Sequence, residues 1–163
     1  RNIKGLSNPI KTQRVLSHLS RLRTDIALIQ QSNLSDLEAA KLTSCLVGKV
    51  FASSASGKKN GVLILCHKKL TDNLILQESD AEGRWVIVKL MINNVPLTIF
   101  YVYAPVNVDN TFWPKISDKL LECDDDYIIF GGDCNQIHDP ILDRHSKVKY
   151  LFSKMHSQFK STI

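Results

Sequence analysis

Tyr127-Ile128-Ile129-Phe130-Gly131-Gly132-Asp133-Cys134-Asn135 is a short apolar run followed by two glycines and two short polar side chains. An apolar run bounded by turn residues is typical of a buried strand, and glycines allow close backbone approach. If the stretch stays extended, Asp133 and Asn135 point to the same side. A carboxylate beside an amide can orient a water and a phosphate oxygen, or hold Mg²⁺. An Asx-rich turn leaving a strand is the alternative, and the local sequence leaves both interpretations open.

Two other apolar runs also end in polar residues. The run from Asp25 to Ile29 leads into Gln30-Gln31-Ser32-Asn33, and the run from Leu97 to Val102 leads into Tyr103-Ala104-Pro105. Functional loops in α/β folds follow strand ends. We therefore expect these three strand ends to bring their polar residues to one edge of a sheet.

Hydrophobic periodicity predicts the elements between these motifs. Helices are expected over 7–24, 35–46, 111–123 and 146–159, and strands over 25–29, 61–66, 85–92, 96–103 and 127–130. Ser7 or Asn8 can cap the first helix, and Ser35-Asp36-Leu37-Glu38 is a capping box for the second. The alternation of helices and strands favours an α/β fold with a mixed sheet, in which 85–92 and 96–103 form an antiparallel hairpin.

Composition is that of one globular domain. The chain has 163 residues, 44% of them hydrophobic and 23% charged, which excludes a disordered chain, a collagen-like chain and a coiled coil. No apolar run approaches the ~20 residues of a membrane helix. The net charge of +5 fits a polyanionic partner such as nucleic acid, or a basic surface kept for solubility, and leaves both open.

The first residue and the cysteines are informative about the cellular location of the protein. It begins with Arg1 rather than Met, which is typical of a fragment or a processed chain, and Arg1-Asn2-Ile3-Lys4 opens no signal-peptide apolar region, so we do not expect secretion. Its 4 cysteines form no C-x-x-C pair, so we expect reduced core thiols rather than a zinc site. We expect an intracellular protein, nuclear or cytoplasmic and not secreted.

Six short motifs occur in a fixed order along the chain. They are Asn2-Ile3-Lys4-Gly5-Leu6, Leu28-Ile29-Gln30-Gln31-Ser32-Asn33-Leu34, Gly57-Lys58-Lys59-Asn60-Gly61-Val62, Glu82-Gly83-Arg84-Trp85, Val102-Tyr103-Ala104-Pro105 and Gly131-Gly132-Asp133-Cys134-Asn135. The series resembles the endonuclease/exonuclease/phosphatase superfamily. Within it, the chain looks most like the endonuclease domain of vertebrate LINE-type retrotransposons, which are relatives of abasic-site endonucleases and exodeoxyribonuclease III. The likeness runs from residue 1 to about Arg144.

The resemblance implies a fold, a reaction and a set of site residues. The fold is a four-layer α/β sandwich, incomplete here at its C-terminal end, and the reaction is Mg²⁺-dependent cleavage of DNA phosphodiesters, with Mn²⁺ as an alternative ion. By the same resemblance Asn2 helps to hold the metal, Tyr103 contacts the phosphate, Asp133 orients the attacking water and Asn135 positions the phosphate. The partner implied is the DNA phosphate backbone. No membrane is implied, and the oligomeric state is left open.

The chain departs from the family pattern in two places. Gln31 stands at the metal-binding position where the family has a glutamate, so one negative charge is missing beside a hard cation. No Ser-Asp-His segment occurs, and the chain is roughly 60–80 residues shorter than a usual family domain. We therefore expect 1–163 to be a single truncated domain with a divergent C-terminal helix over 145–163, and expect its catalysis to be impaired.

Other interpretations stay open. The chain could be an inactive relic with residual nucleic-acid binding, or a phosphatase or phosphodiesterase of the same superfamily. A basic helix face carrying Lys11, Arg14, Arg21 and Arg23 is typical of a solvated surface, although it could follow a DNA backbone. We interpret Asp124-Asp125-Asp126 as a solvated loop and Tyr101 as a packing residue. The resemblance implies C-terminal strands that this sequence lacks, so we expect exposed apolar strand surface unless the helix over 146–159 packs there, and we expect the chain to be marginally stable.

Overall fold

The computed structural model describes residues 3–45, 48–55, 60–106, 110–123 and 126–135. The chain divides into two compact units, Arg1–Tyr103 with Asp125–Asp133, and Ala104–Asp124 with Cys134–Ile163. The helix expected over 145–163 lies outside the described residues. The single truncated domain stays a prediction.

Helices and strands alternate along the chain as an α/β fold requires. The strands are β1 (Ile26–Gln30), β2 (Gly48–Ser53), β3 (Val62–His67), β4 (Leu74–Ser79), β5 (Trp85–Ile92), β6 (Val95–Tyr103) and β7 (Tyr127–Asp133). The helices are α1 (Pro9–Arg21), α2 (Asp36–Cys45), the short α3 (Lys68–Thr71) and α4 (Phe112–Leu121), the last in the second unit. None of the helices in the described ranges has the length and apolar character that crossing a bilayer requires.

The strands form two sheets in the first unit. Sheet A has the order β1-β3-β2 and is antiparallel throughout. Sheet B has the order β4-β5-β6-β7, in which β5 and β6 form the expected antiparallel hairpin and β7 runs parallel to β6. The prediction of an α/β sandwich is confirmed, and sheet B is the mixed sheet.

The two sheets pack face to face because each buries one apolar face. Their shared core contains Phe51, Val62, Ile64 and Cys66 of sheet A, and Val86, Val88, Leu90, Ile99 and Tyr101 of sheet B. A second core, including Leu16, Ile29, Leu42, Leu63 and Leu65, lies between the other face of sheet A and helices α1 and α2. Cys66 and Cys123 are buried thiols, as expected, whereas Cys134 is only half-buried and so is not a core thiol. Burial raises the pKa of the Cys66 thiol to about 12.

Both helix-capping predictions are confirmed. Asn8 caps α1, since its Oδ1 accepts hydrogen bonds from the backbone N–H groups of Ile10 at 3.0 Å and Lys11 at 3.2 Å. The capping box of α2 is complete, because Glu38 Oε2 accepts from the Ser35 N–H at 2.9 Å and Ser35 Oγ accepts from the Glu38 N–H at 3.3 Å. These caps satisfy N–H groups that the first helical turn leaves unpaired.

Strand β4 has no counterpart in the sequence prediction. It lies at the edge of sheet B, and Ile75 and Leu76 are exposed there. Its pairing with β5 shifts register between Leu74 and Leu76. An edge strand with a bulge has no regular apolar and polar alternation, which is why the periodicity does not indicate it.

Strand β7 exposes apolar surface, as expected. The exposed fractions are 71% for Tyr127, 41% for Ile128 and 42% for Ile129. Exposed apolar side chains on an edge strand are a site of association in a free domain. No measurement of stability accompanies this exposure, so marginal stability stays a prediction.

Asp126 contradicts the expectation of a solvated loop at Asp124-Asp125-Asp126, of which Asp124 and Asp125 lie outside the described residues. Its carboxylate is 2% exposed and lies 2.7 Å from Lys89 Nζ. Thr98 Oγ1 donates a second hydrogen bond to it at 2.5 Å. Burial raises the pKa of this carboxyl, but the hydrogen bonds from Lys89 and Thr98 and the Lys89 charge outweigh it, so that the pKa is lowered overall.

The Asp126 ion pair predicts a specific loss of stability in acid. Because the folded-state pKa lies below the unfolded value, the ionised carboxylate stabilises the fold above about pH 4, and this stabilisation is lost as the pH falls through the folded pKa. Asp126→Asn should lower the free energy of unfolding by about 3 kcal/mol at pH 7, because it leaves Lys89 without its charged partner.

Urea unfolding between pH 2.5 and 7 measures this. Asp25→Asn is the matched control, since the Asp25–Lys69 pair is about half exposed and should contribute less than about 1 kcal/mol. The Asp126→Asn variant should also lose less stability than the native chain below pH 4. Parallel curves for the native chain and this variant would contradict the assignment.

Candidate functional site

Three polar side chains form a row across one end of sheet B. Tyr103 pairs with Asp133 in the parallel register of β6 and β7. On its other side the Tyr103 N–H donates to the carbonyl oxygen of Arg84 at 2.6 Å, one position beyond the paired Trp85 and Val102. Side chains at paired positions of neighbouring strands stand on the same face of a sheet. Arg84, Tyr103 and Asp133 are called the polar row below.

The end of β1 in sheet A reaches this row. Gln30 Nε2 donates a hydrogen bond to Asp133 Oδ2 at 3.1 Å, and Gln31 Nε2 donates one to the Tyr103 hydroxyl at 2.8 Å. Two consecutive side chains of a strand would normally point to opposite sides. Gln31, however, has a left-handed backbone with φ of 54°. This turn breaks the alternation, so both amides contact sheet B.

The turn at Gln31 is fixed by backbone hydrogen bonds on both sides of the loop. The Gly5 N–H donates to the Gln31 carbonyl at 2.7 Å, and the Leu6 N–H donates to the Ser32 carbonyl at 2.7 Å. The Ser32 N–H in turn donates to the Gly61 carbonyl at 3.1 Å. A left-handed non-glycine residue costs roughly 1–2 kcal/mol and persists only where its surroundings hold it.

A chain of hydrogen bonds runs from Tyr101 through Gln30 to Asp133. The Tyr101 hydroxyl donates to Gln30 Oε1 at 3.2 Å, and both side chains are buried. Because Oε1 accepts from Tyr101, the amide Nε2 of Gln30 faces the carboxylate. Burial, and then the negative charge of Asp133, raise the pKa of Tyr101 well above its usual value. Tyr101 therefore stays protonated and keeps its donor role.

The structure brings together three of the residues that the resemblance singled out, Gln31, Tyr103 and Asp133. Asn2 lies outside the described residues. Asn135 belongs to the second unit, where its Nδ2 donates to the Ala104 carbonyl at 2.6 Å. The catalytic and metal-binding roles of these residues stay predictions.

The sequence assigns no site role to Gln30 or Arg84. It predicts Tyr101 as a packing residue, and Tyr101 is buried in the core, but its hydroxyl also positions the Gln30 amide. One signal was present, since Tyr101 and Tyr103 are two positions apart on a strand and share a face. The contact of Gln30 with Asp133, 103 positions apart in sequence, has no local signal.

The described residues do not on their own fit a Mg²⁺ site. The polar row has a single carboxylate, Asp133, and it already accepts a hydrogen bond from Gln30. Gln31 contributes a neutral amide, whose Nε2 faces Tyr103. Within the described ranges no three His, Cys, Asp or Glu side chains group together as metal ligands. Mg²⁺ is normally bound through carboxylates, and the polar row supplies only one.

Comparison with protein-family models identifies the family of this chain. Residues 2–153 match the Endonuclease/Exonuclease/phosphatase family. The chain belongs to this family. Members of the family generally depend on a divalent metal.

Solved structures agree on the fold. The AP endonuclease LMAP of Leishmania major matches with a TM-score of 0.76 and 15% identity, over 99% of this chain and 63% of that one. The endonuclease domain of TRAS1, a telomere-specific non-LTR retrotransposon, matches with a TM-score of 0.67 and 18% identity, over 99% of this chain and 68% of that one. TDP2 of Caenorhabditis elegans matches with a TM-score of 0.51 and 17% identity, over 77% of this chain and 42% of that one.

The chain spans only part of the proteins that it matches. This chain spans 42% of the TDP2 chain and 63% of the LMAP chain. At 15–18% identity the similarity establishes a shared fold.

Proposed function

We propose that this chain is a DNA phosphodiester-cleaving endonuclease domain of retrotransposon origin whose own catalysis is impaired. The observation that carries the proposal is the pair of contacts Gln30–Asp133 and Gln31–Tyr103, which join the ends of two sheets at one edge. The family membership of the chain and its likeness to an AP endonuclease and a retrotransposon endonuclease domain support it.

The proposed roles follow from the chemistry of the side chains. The Asp133 carboxyl group is held in place by Gln30, which suits it to orient and activate a water for attack on phosphorus. The Tyr103 hydroxyl is a donor for a phosphate oxygen on which charge develops. Asn135 is proposed to position the phosphate, by its resemblance to the family asparagine.

The proposed impairment rests on Gln31. If Asn2 and Gln31 stand at the metal-binding positions, replacing a glutamate by an amide removes an attraction of roughly 4 kcal/mol per unit charge at ~4 Å and an effective dielectric near ~20. Solvation of the ion offsets much of this, so we propose weakened rather than abolished binding of Mg²⁺ or Mn²⁺. The chain would then still bind the DNA phosphate backbone although it cleaves DNA poorly.

DNA is the substrate we favour over a lipid or inositol headgroup. The net charge of +5 favours a polyanion. We also propose a nuclear or cytoplasmic location, because a DNA substrate is consistent with it. The runner-up is a phosphatase or phosphodiesterase of the same superfamily, and the assay below distinguishes the two.

A paired binding and nicking experiment tests the proposal. Fluorescence anisotropy with a 25-bp duplex should give salt-dependent binding in the micromolar range, the usual scale of backbone recognition. Supercoiled plasmid with Mg²⁺, Mn²⁺ or EDTA should be nicked only near background. Strong nicking that disappears in Asp133→Ala would show that catalysis is not impaired. Absence of DNA binding, together with phosphate release from an inositol phosphate, would favour the phosphatase.

A further inference from the structure

Asp80 holds the turn that leads from β4 into β5. Its Oδ1 atom accepts hydrogen bonds from the backbone N–H groups of Arg84 at 2.8 Å and Trp85 at 3.0 Å, and its own N–H donates to the Trp85 carbonyl oxygen at 3.3 Å. The short side chain of an aspartate commonly fixes a turn in this way. The backbone at the start of β5 is therefore held by one carboxylate.

A further contact of Asp80 comes from the other sheet. Ser53 lies at the end of β2, where only 1% of it is exposed, and its Oγ lies 2.5 Å from Asp80 Oδ1 and 2.8 Å from the Asp80 carbonyl oxygen. A turn that only closed on itself would not need a donor 27 positions away in sequence. Because Ser53 belongs to sheet A and Trp85 to sheet B, Asp80 joins the two sheets.

The same turn packs closely on the backbone of sheet A. Gly83 has φ of +71°, and a Cβ there would lie 2.9 Å from the backbone nitrogens of both Ala55 and Gly61. Only a glycine allows so close an approach of two chains. The turn is therefore seated on the segments that follow β2 and precede β3.

Two contacts connect Arg84 to Tyr103 in the polar row. The Arg84 carbonyl oxygen accepts from the Tyr103 N–H at 2.6 Å, and Arg84 Cζ lies 5.6 Å from the centroid of the Tyr103 ring, a cation–π distance. The hydroxyl of that ring accepts from Gln31 Nε2 at 2.8 Å. Tyr103 is thus held by Gln31 from one side and by Arg84, whose backbone Asp80 fixes, from the other.

We propose that Asp80 is a positioning residue for Tyr103. It holds the start of β5 against sheet A, and through Arg84 it fixes the place of the tyrosine hydroxyl. This rests on the proposed function, in which that hydroxyl donates to a phosphate oxygen of DNA. Asp80 contacts no substrate and acts only through the residues that it holds.

The charge of Asp80 and its hydrogen bonds have opposite effects on DNA binding. A carboxylate repels DNA phosphates, so a residue that acted only through its charge would lower the affinity. A residue that positions Tyr103 raises the affinity, because a donor already held in place loses no freedom when the phosphate binds. Asp80→Ala removes both the charge and the acceptor, whereas Asp80→Asn removes the charge and keeps an oxygen at the Oδ1 position.

Fluorescence anisotropy with a 25-bp duplex separates the two effects. We expect Asp80→Ala to bind about fivefold more weakly than the native chain, the scale of one lost hydrogen bond, even though a negative charge is removed. Asp80→Asn should bind at least as tightly as the native chain. If Asp80→Ala also binds at least as tightly, Asp80 acts on DNA only through its charge and the proposal is overturned.

The side-chain amide of Gln31 reports the place of Tyr103 without DNA. Its ¹H–¹⁵N signal in the intact chain is assigned by its loss in Gln31→Glu. We expect Asp80→Ala to shift this signal and Asp80→Asn to leave it at the native position. An unmoved signal in a folded Asp80→Ala variant would overturn the proposal.

Asp126→Asn is the matched control for loss of stability. It also removes a carboxylate that is bonded within sheet B, but Asp126 lies beside the opposite end of β6 and β7 from the polar row. The Gln31 signal should therefore stay at its native position in this variant. Equal shifts in Asp126→Asn and Asp80→Ala would mean that the signal follows general stability, which contradicts a positioning role.

Ser53→Ala decides the question if circular dichroism shows that Asp80→Ala does not fold. This variant removes the contact with sheet A and leaves Asp80 bonded to the N–H groups of Arg84 and Trp85. The Gln31 signal should shift here as well, and an unmoved signal overturns the proposal. If the native chain binds no DNA while Asp80→Ala or Ser53→Ala shifts the Gln31 signal, the proposed function fails and the positioning of Tyr103 by Asp80 stands.

Discussion

Gln31→Glu is expected to raise the Mg²⁺ affinity of the chain by about tenfold or more, since it restores a full negative charge at the proposed metal position. The carboxylate would stand where the amide now contacts Tyr103 at 2.8 Å, and the tyrosine hydroxyl would donate to it. Calorimetric titration with Mg²⁺ measures the change. An unchanged affinity would show that Gln31 does not occupy the metal-binding position.

The same substitution should not restore cleavage on its own. Resemblance to the family implies that a catalytic histidine and a second aspartate come from a C-terminal segment that this sequence does not contain. Gln31→Glu combined with the part of the TRAS1 endonuclease domain that this chain does not span should nick plasmid at a rate at least about 10²-fold above background, the scale of general-base catalysis. Asp133→Ala in that chimera should return nicking to background.

Gly132→Ala is expected to cost more than about 3 kcal/mol of stability. Gly132 has φ of +148°, where side chains are strained, and a Cβ there would lie 1.8 Å from the Val102 carbonyl oxygen. Because the clash is with backbone of the neighbouring strand, β7 would have to separate from β6. Chemical denaturation monitored by circular dichroism measures the loss.

Gly131→Ala is the matched control for this prediction. A Cβ at Gly131 would meet chiefly Leu28 Cδ1, at 3.0 Å, which is the end of a flexible side chain. That substitution should cost about 1 kcal/mol, in the range of mild overpacking. Equal losses for the two variants would show that β7 does not pair with β6 as closely as described.

The sequence predicts the fold well where local pattern and tertiary structure agree. The apolar run at 127–130 becomes β7, and the hairpin of 85–92 and 96–103 becomes β5 and β6. Helix caps depend on neighbouring residues only, so Asn8 and the Ser35–Glu38 box are visible in the sequence.

Features that depend on contacts between distant parts of the chain cannot be predicted from local sequence pattern. Asp126 belongs to an acidic run typical of a surface loop, yet Lys89 and Thr98 from two other strands bury and pair it. Gln30 and Arg84 gain their places in the site only when sheet A meets sheet B and when β5 pairs with β6. The sequence singles out Gln31, Tyr103 and Asp133 as site residues, whereas the contacts that position them are formed only in the fold.

Chemical-shift mapping with DNA tests the central claim most directly. In backbone ¹H–¹⁵N spectra of the ¹⁵N-labelled chain, a 12-bp duplex should shift the amides of the polar row and of the Gln30–Gln31 turn, and these shifts should saturate together. The amides of the basic α1 face at Lys11, Arg14 and Arg21 should shift much less. Saturable shifts confined to α1, with the polar row unmoved, would contradict the account.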